Sequence, residues 1–213
     1  MTGVNETVIL ENRFARVGLL PGRGADVYEF THKPSDTDVV PTWDEEGYRG
    51  GWQEVLPNGG PPSVFEGAEY GQHGEACGLR WDARIEPEVG GPEVAYLRAA
   101  LTRSPLMIEK RLSLDEDSAT LRVDELVVNT GETPQRAMWG QHLAFGPPFV
   151  GPGDHIEIAE GARVIPHAGQ LPGGRRVDAG REHRWPFAVD AAGARVDLSE
   201  LPPAGAPTEM LYI

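Results

Sequence analysis

Residues 106–114 read LMIEKRLSL, and the alternation in that stretch decides the fold. Leu106, Ile108, Leu112 and Leu114 fall on one face with Lys110 among them, while Met107, Glu109, Arg111 and Ser113 fall on the other. A period of two is the mark of a half-buried β-strand. Asp115 to Ser118 supply the turn that ends it. Leu121 and Val123 continue the pattern, but Leu126 and Val128 have the opposite parity. That predicts either a bulge near Asp124 and Glu125 or burial of both faces. Asn129-Thr130-Gly131-Glu132 closes the segment as a turn.

Working outward, strands are expected over residues 13–20 and 25–32, around the turn Pro21-Gly22-Arg23-Gly24, and over 93–102 and 136–145. Less regular ones are expected over 155–165 and 183–189. No stretch with a 3.6-residue period is long enough for a helix, and neither a repeat nor a linker divides the chain. The expectation is one all-β domain over residues 1–213, an antiparallel β-sandwich. The 27 glycines and 19 prolines, spread at short intervals, suit many short strands joined by turns.

The net charge of −14, from 33 acidic and 19 basic residues, repels phosphate backbones and anionic bilayers. Neither nucleic acid nor membrane is therefore an expected partner. The lone Cys77 permits no intrachain disulfide and no thiolate metal cluster, and beside Gly78 it reads as a small packing residue. The opening MTGVNETVILENRF lacks a basic-then-apolar leader pattern, and no apolar run is long enough for a bilayer, so a cytoplasmic location is expected.

Residues 50–78 differ: they are rich in Gly, Pro and aromatics, with poor periodicity. Such a segment reads as a structured loop laid across a sheet, which serves either as a surface connection or as a place for function. His73 and Glu75 flank Gly74, and an extended backbone would send both side chains to one face. In MWGQHLAFG, Met138, Gly140, His142 and Ala144 share a face, leaving open space around the imidazole, with Trp139, Gln141, Leu143 and Phe145 opposite. A single His of either kind reads as structural. The pair, with Trp52, Trp81 and Trp139 nearby in sequence, suits a sugar site, because indole faces match the apolar faces of pyranose rings. At least one of these tryptophans is expected in the core.

GGWQEVLPNGGPPSVFEGAEYGQHGEACGLRW (50–81), KRLSLDEDSATLRVDELVVNTGETPQRAMWGQHLAFG (110–146) and ENRFARVGLLPGRGADVYEF (11–30) resemble aldose 1-epimerase-like proteins of the galactose mutarotase-like superfamily, in particular their uncharacterised bacterial branch. The resemblance spans about residues 5–150. It implies a galactose mutarotase-like sandwich whose concave face holds a sugar, and an isomerase that interconverts anomers by acid/base ring opening. By motif, His142 would be the general acid and His73 the positioning partner. An imidazole of ordinary pKa, about 6.5, can give or take a proton near neutrality. Glu75, Trp52, Asn58, Arg80, Trp139 and Gln141 are the candidate sugar contacts, with Arg49 behind them, and Glu69 and Glu54 are less well-placed carboxylate alternatives to Glu75.

The family's catalytic Glu lies toward the end of a longer chain, and no counterpart is found here, which leaves two expectations, a C-terminally truncated chain or a site without the usual base; TEMLYI (208–213) resembles a strand approaching that region. Glu75 is open to three roles, as hydroxyl ligand, metal ligand or base. His73, Glu75 and His142 would make an N/N/O metal set for a sugar isomerase or lyase, and a non-catalytic carbohydrate-binding protein is a further alternative. No metal is assigned and no cofactor is expected, since P-loop, dinucleotide and G-x-S-x-G patterns are missing. His155, His167 and His183, in charged or Gly/Pro-rich surroundings, are expected mostly to face solvent.

Overall fold

Asn12 organises the first hairpin of the computed structural model, which describes residues 7–40, 42–43, 49–88, 90–171 and 173–213. Its Oδ1 accepts from the backbone N–H groups of Phe14 and Ala15 at 2.7 Å, turning β1 (Val8–Glu11) into β2 (Ala15–Leu20). Its Nδ2 donates to the carbonyls of Asp115 and Ser118, tying this turn to a distant one. β3 (Asp26–His32) and β4 (Thr37–Asp38) complete an antiparallel sheet in the order β1-β2-β3-β4. The turn into β3 depends on Gly24, at φ +67°, where a Cβ would lie 2.4 Å from the Cys77 carbonyl oxygen.

β5 (Thr42–Trp43) and β6 (Arg49–Gly50) form a short ribbon, followed by β7 (Gln53–Val55). The segment expected as a loop holds more regular structure than its composition suggests. β8 (Ser63–Phe65) and β9 (Ala68–Tyr70) form a hairpin whose turn residues Glu66 and Gly67 both have positive φ. A single 3₁₀ turn covers Ala76–Gly78. The fully buried Leu56 fastens the segment: its N–H donates to the His73 carbonyl, and its own carbonyl accepts from Glu75 and Ala76.

The second four-stranded sheet runs β10 (Asp82–Pro87), β11 (Glu93–Ala100), β12 (Leu106–Leu114), β13 (Leu121–Asn129), all antiparallel. β12 has the bounds and the alternation its sequence predicts. Its partner β13 pairs without interruption from Leu106↔Asn129 to Leu114↔Leu121, so there is no bulge at Asp124–Glu125. Leu121, Val123, Glu125 and Val127 stand opposite the inward residues of β12, whereas Leu126 points outward and is 55% exposed. The parity change is two apolar residues on the outer face, Leu126 exposed and Val128 half-buried, rather than full burial of both faces.

The two sheets bury one core between them. Leu10, Val17, Leu19 and Val27 from the first meet Ala95, Leu97, Ile108 and Leu112 from the second, with Trp81 closing one side. Each such Leu, Ile or Val side chain contributes about 1.5–3 kcal/mol on burial. β14 (Gly140–His142), shorter than the strand expected over 136–145, pairs with β7.

By contact the chain separates into two compact units, Met1–Phe149 and Val150–Ile213. Within the second, β15 (Arg163–Pro166), β16 (His183–Arg184), β17 (Phe187–Val189), β18 (Arg195–Asp197) and β19 (Leu211–Tyr212) make a sheet in the order β18-β17-β16-β15-β19. Its own core contains Val164, Val177, Trp185, Ala188 and Leu198. The closing strand expected near TEMLYI is β19. His155 is exposed and His167 half-buried, but His183 is buried, with Nε2 2.9 Å from the Asp178 carbonyl oxygen. Among the described residues there is no α-helix, and none long and apolar enough to cross a membrane.

Candidate functional site

The β7–β14 ribbon positions the site through strand alternation. Gln53 stands opposite His142 and Glu54 opposite Gln141, and directly paired residues share a face. One face of the ribbon therefore carries Gln53 and His142; the other carries Glu54 and Gln141.

His73 joins the first face. Its ring centroid lies 4.8 Å from that of His142, with the planes tilted by 54°. Its Nδ1 is 3.2 Å from Gln53 Oε1. His73 itself sits at φ +65°, an uncommon left-handed conformation for a residue with a side chain. Gly74 follows at φ +85°, and a Cβ there would lie 2.2 Å from the Leu56 carbonyl oxygen. His142 is exposed and His73 half-buried. Burial and the neighbouring His142 both hold the His73 imidazole below its ordinary pKa, which favours the neutral ring at pH 7.

Behind Gln53 lies Asp26, with no exposed surface. Gln53 Nε2 donates to Asp26 Oδ2 at 3.4 Å, and Arg23 Nε lies 3.8 Å from the same oxygen. Burial pushes the Asp26 carboxyl up to about 7, against the opposing pull of Gln53, Arg23 and Lys110. The sequence offers no local sign of this group, because a strand-start Asp next to a turn reads as a turn former. Stability should follow it with a defined sign. Between about pH 4 and 7 the unfolded chain has released this proton and the folded one keeps it, so stability falls by about 1.4 kcal/mol per pH unit and levels off above. Asp26→Asn should lack that component, being more stable than the parent at pH 8 by up to roughly 4 kcal/mol and nearly equal to it near pH 4. Urea unfolding across that range measures it; identical pH slopes for the two chains would refute it.

The other face of the ribbon rests on a buried ionic cluster. Lys110 Nζ lies 2.6 Å from Glu54 Oε2 and 3.1 Å from Glu125 Oε1. Trp139 Nε1 donates to Glu54 Oε1 at 2.9 Å, and Gln141 Nε2 donates to Glu54 Oε2 at 2.6 Å and Glu125 Oε1 at 2.8 Å. Burial raises the Glu125 carboxyl, with Lys110 opposing. Lys110, the one charged residue on the apolar side of LMIEKRLSL, is thus the core's anchor for the segment that carries His142.

The remaining expected contacts divide. Glu75 is buried, and its carboxylate accepts from Thr102 N and Oγ1 at 2.9 Å, from Arg103 N at 3.2 Å and from Ser104 Oγ at 3.4 Å. It holds the β11–β12 turn. The left-handed backbone at 73 and 74 breaks the extended geometry that would have put it beside His73, so the hydroxyl, metal and base roles all lose their geometric basis. Among the described residues no group of three His, Cys, Asp or Glu side chains converges as a metal set. Trp52 Nε1 donates to the Ala144 carbonyl, and its ring packs edge-on against Phe30 and Phe145, so it secures the chain after β14. Asn58 Nδ2 donates to the carbonyls of Gly60, Pro61 and Gly71, tying the loop together. Gln141 is committed to the ionic cluster. Arg80 is exposed beside the buried Trp81, Glu69 is exposed on the β8–β9 hairpin, and the side chain of Arg49 lies outside the described residues. Trp139 keeps half its surface in solvent while its N–H is held, a free indole face on a fixed ring.

Two surface hollows flank these elements. One, of about 410 Å³, is lined by Pro57, Asn58, Phe65, Tyr70, Arg136 and Met138, among others. The other, of about 420 Å³, lies on the outer side of β10–β13, where Arg98 pairs with Glu109 and Arg111 with Glu88 and Asp124. Neither imidazole lines either hollow.

No family model and no curated protein sequence matches the chain. Solved structures do. The crystal structure of a galactose mutarotase-like protein from Lactobacillus casei is 16% identical, with a TM-score of 0.56 over 96% of this chain and 68% of that one. A galactose mutarotase related enzyme from Lactobacillus acidophilus is 19% identical, with a TM-score of 0.55 over 91% of this chain and 65% of that one. The chain thus spans about two thirds of the length of these neighbours, and its architecture is the antiparallel, sandwich-like β fold of galactose mutarotase-like proteins.

Proposed function

We propose that the chain is a carbohydrate-active isomerase of the aldose 1-epimerase type, interconverting anomers of a free sugar or sugar derivative at His73 and His142. The observation that carries this reading is the meeting of two imidazoles, 69 positions apart in sequence, at 4.8 Å. Anomer exchange needs a proton delivered to the ring oxygen as another leaves the anomeric hydroxyl. The exposed His142 can act as the acid at the ring oxygen, and the proton leaving the anomeric hydroxyl passes to solvent water. A neutral His73 imposes no positive charge beside it, and the nitrogen remote from Gln53 offers a lone pair to a sugar hydroxyl.

Polarimetry or NMR exchange measurements on a panel of hexoses and pentoses test this directly. Acceleration of anomer exchange that disappears in His142→Ala supports it; equal rates with and without protein across the panel would sink it. Sugar-dependent thermal stabilisation without turnover would identify a binding protein instead.

A further inference from the structure

We infer that Asp26, acting through the side-chain amide of Gln53, fixes which nitrogen of His73 carries the proton, making Asp26 and Gln53 positioning residues of the two-histidine site. The inference deepens the isomerase reading above and rests on it for its kinetic consequence alone.

The argument follows from which groups can donate. An ionised carboxylate only accepts, so Asp26 Oδ2 selects the NH₂ end of the Gln53 amide, observed at 3.4 Å. An amide has one oxygen and one nitrogen; with Nε2 turned to Asp26, Oε1 must face His73, where it lies 3.2 Å from Nδ1. An amide oxygen accepts only, so His73 Nδ1 must be the protonated nitrogen and Nε2 the bare one. That is the less common tautomer of a free neutral imidazole in water, so it needs an external cause. Strand pairing keeps the parts in place: Gln53 is locked in β7 opposite His142, and Val27, next to Asp26, exchanges backbone hydrogen bonds with Trp52, next to Gln53. Burial holds the Asp26 carboxyl up to about 7 against the pull of Gln53, Arg23 on its own turn and Lys110 from β12, so above that pH it is ionised and acceptor-only. Cys77, from the 3₁₀ turn, lies within electrostatic reach of the same carboxylate.

The consequence for the site is directional. A His73 with its proton on Nδ1 presents an acceptor away from Gln53. The opposite tautomer would present a donor there and leave Gln53 Oε1 facing a bare nitrogen.

¹⁵N NMR of the imidazole nitrogens at about pH 8.5, above the range in which Asp26 and His73 titrate, reads the tautomer without any turnover. In the native chain the neutral His73 should be predominantly Nδ1–H. Gln53→Met removes the acceptor, and Asp26→Asn supplies both a donor and an acceptor so that the amide is no longer oriented; both should move His73 toward Nε2–H while the His142 signals stay where they are. Retained shift dispersion of the Trp81 indole N–H reports that each variant is folded. If anomer exchange is present, both variants should lower kcat/KM by about tenfold with KM raised, since His73 would then present a donor where it had offered the sugar an acceptor, although neither substituted residue touches substrate. A native His73 that is mainly Nε2–H, or a Nδ1–H fraction unchanged in both variants, overturns the relay. A tautomer shift in a chain that accelerates no sugar's exchange upholds the relay and removes the isomerase reading, so the two fail separately.

Discussion

Replacing His142 by alanine should lower kcat for anomer exchange by about 10²–10⁴-fold, the usual worth of a positioned general acid or base. It should leave the fold nearly untouched. The ring is exposed and its strand bonds to β7 are made by the backbone, so the substitution removes the proposed proton carrier rather than a packing element. Thermal midpoints of parent and variant should agree within about 2 °C. His73→Ala should behave differently. His73 occupies a left-handed position held by the Leu56 clamp, and its ring is half-buried against Gln53 and His142, so its loss should raise KM as well as lower kcat. The contrast is the useful measurement: an acid lost from an otherwise intact site lowers kcat and kcat/KM together, while a lost holding group also weakens ground-state binding. A His142→Ala chain with undiminished exchange would remove this residue from the chemistry.

How much of this could be read from the sequence differs from one element to the next. Where local pattern and tertiary burial agree, as in Leu106–Leu114, both the strand and its inward face were legible, Lys110 included. β10 was not, because all six of its residues are exposed and its pattern carries no apolar alternation. The β8–β9 hairpin was hidden by composition, although Glu66-Gly67 between two short β-rich runs is a turn signal that a finer reading would have used. His73 and His142 could be singled out as an unusual pair. Their partners could not, since Asp26, Gln53 and Glu54 acquire their meaning from pairing registers between β3, β7 and β14 that only the folded chain defines. Glu75 shows the converse: its spacing from His73 suggests proximity, but two consecutive left-handed residues send its carboxylate to the turn at 102–104. Left-handed backbone at a non-glycine residue is only weakly signalled by residue type, although His is among the types that adopt it more often.

The largest stability effect should come from Lys110→Met. The ammonium is nearly buried and lies between two carboxylates, one with no exposed surface, so the substitution leaves Glu54 and Glu125 facing each other in a site from which water is mostly excluded. Breaking a buried ion pair by removing one partner costs about 3–5 kcal/mol, which for a chain of this size lowers the thermal midpoint by roughly 10 °C. The cost should shrink on acidification, because without the lysine Glu125, whose carboxyl burial already raises, binds a proton in the folded state more readily than in the unfolded one. Adding Glu54→Gln should recover more than half of the loss by removing one of the two charges while keeping an acceptor for Trp139, so the two substitutions should be strongly non-additive in a double-mutant cycle. The same variant tests how the core supports the chemistry. Glu54 holds both Trp139 and Gln141, and these immediately precede His142 in sequence, so the loss of Lys110 should loosen the platform under the imidazole and lower kcat even at temperatures where the chain remains folded. A loss below about 1 kcal/mol with no recovery at acidic pH would mean that the three charges are not desolvated together, and that β14 is held in place by its backbone pairing with β7 alone.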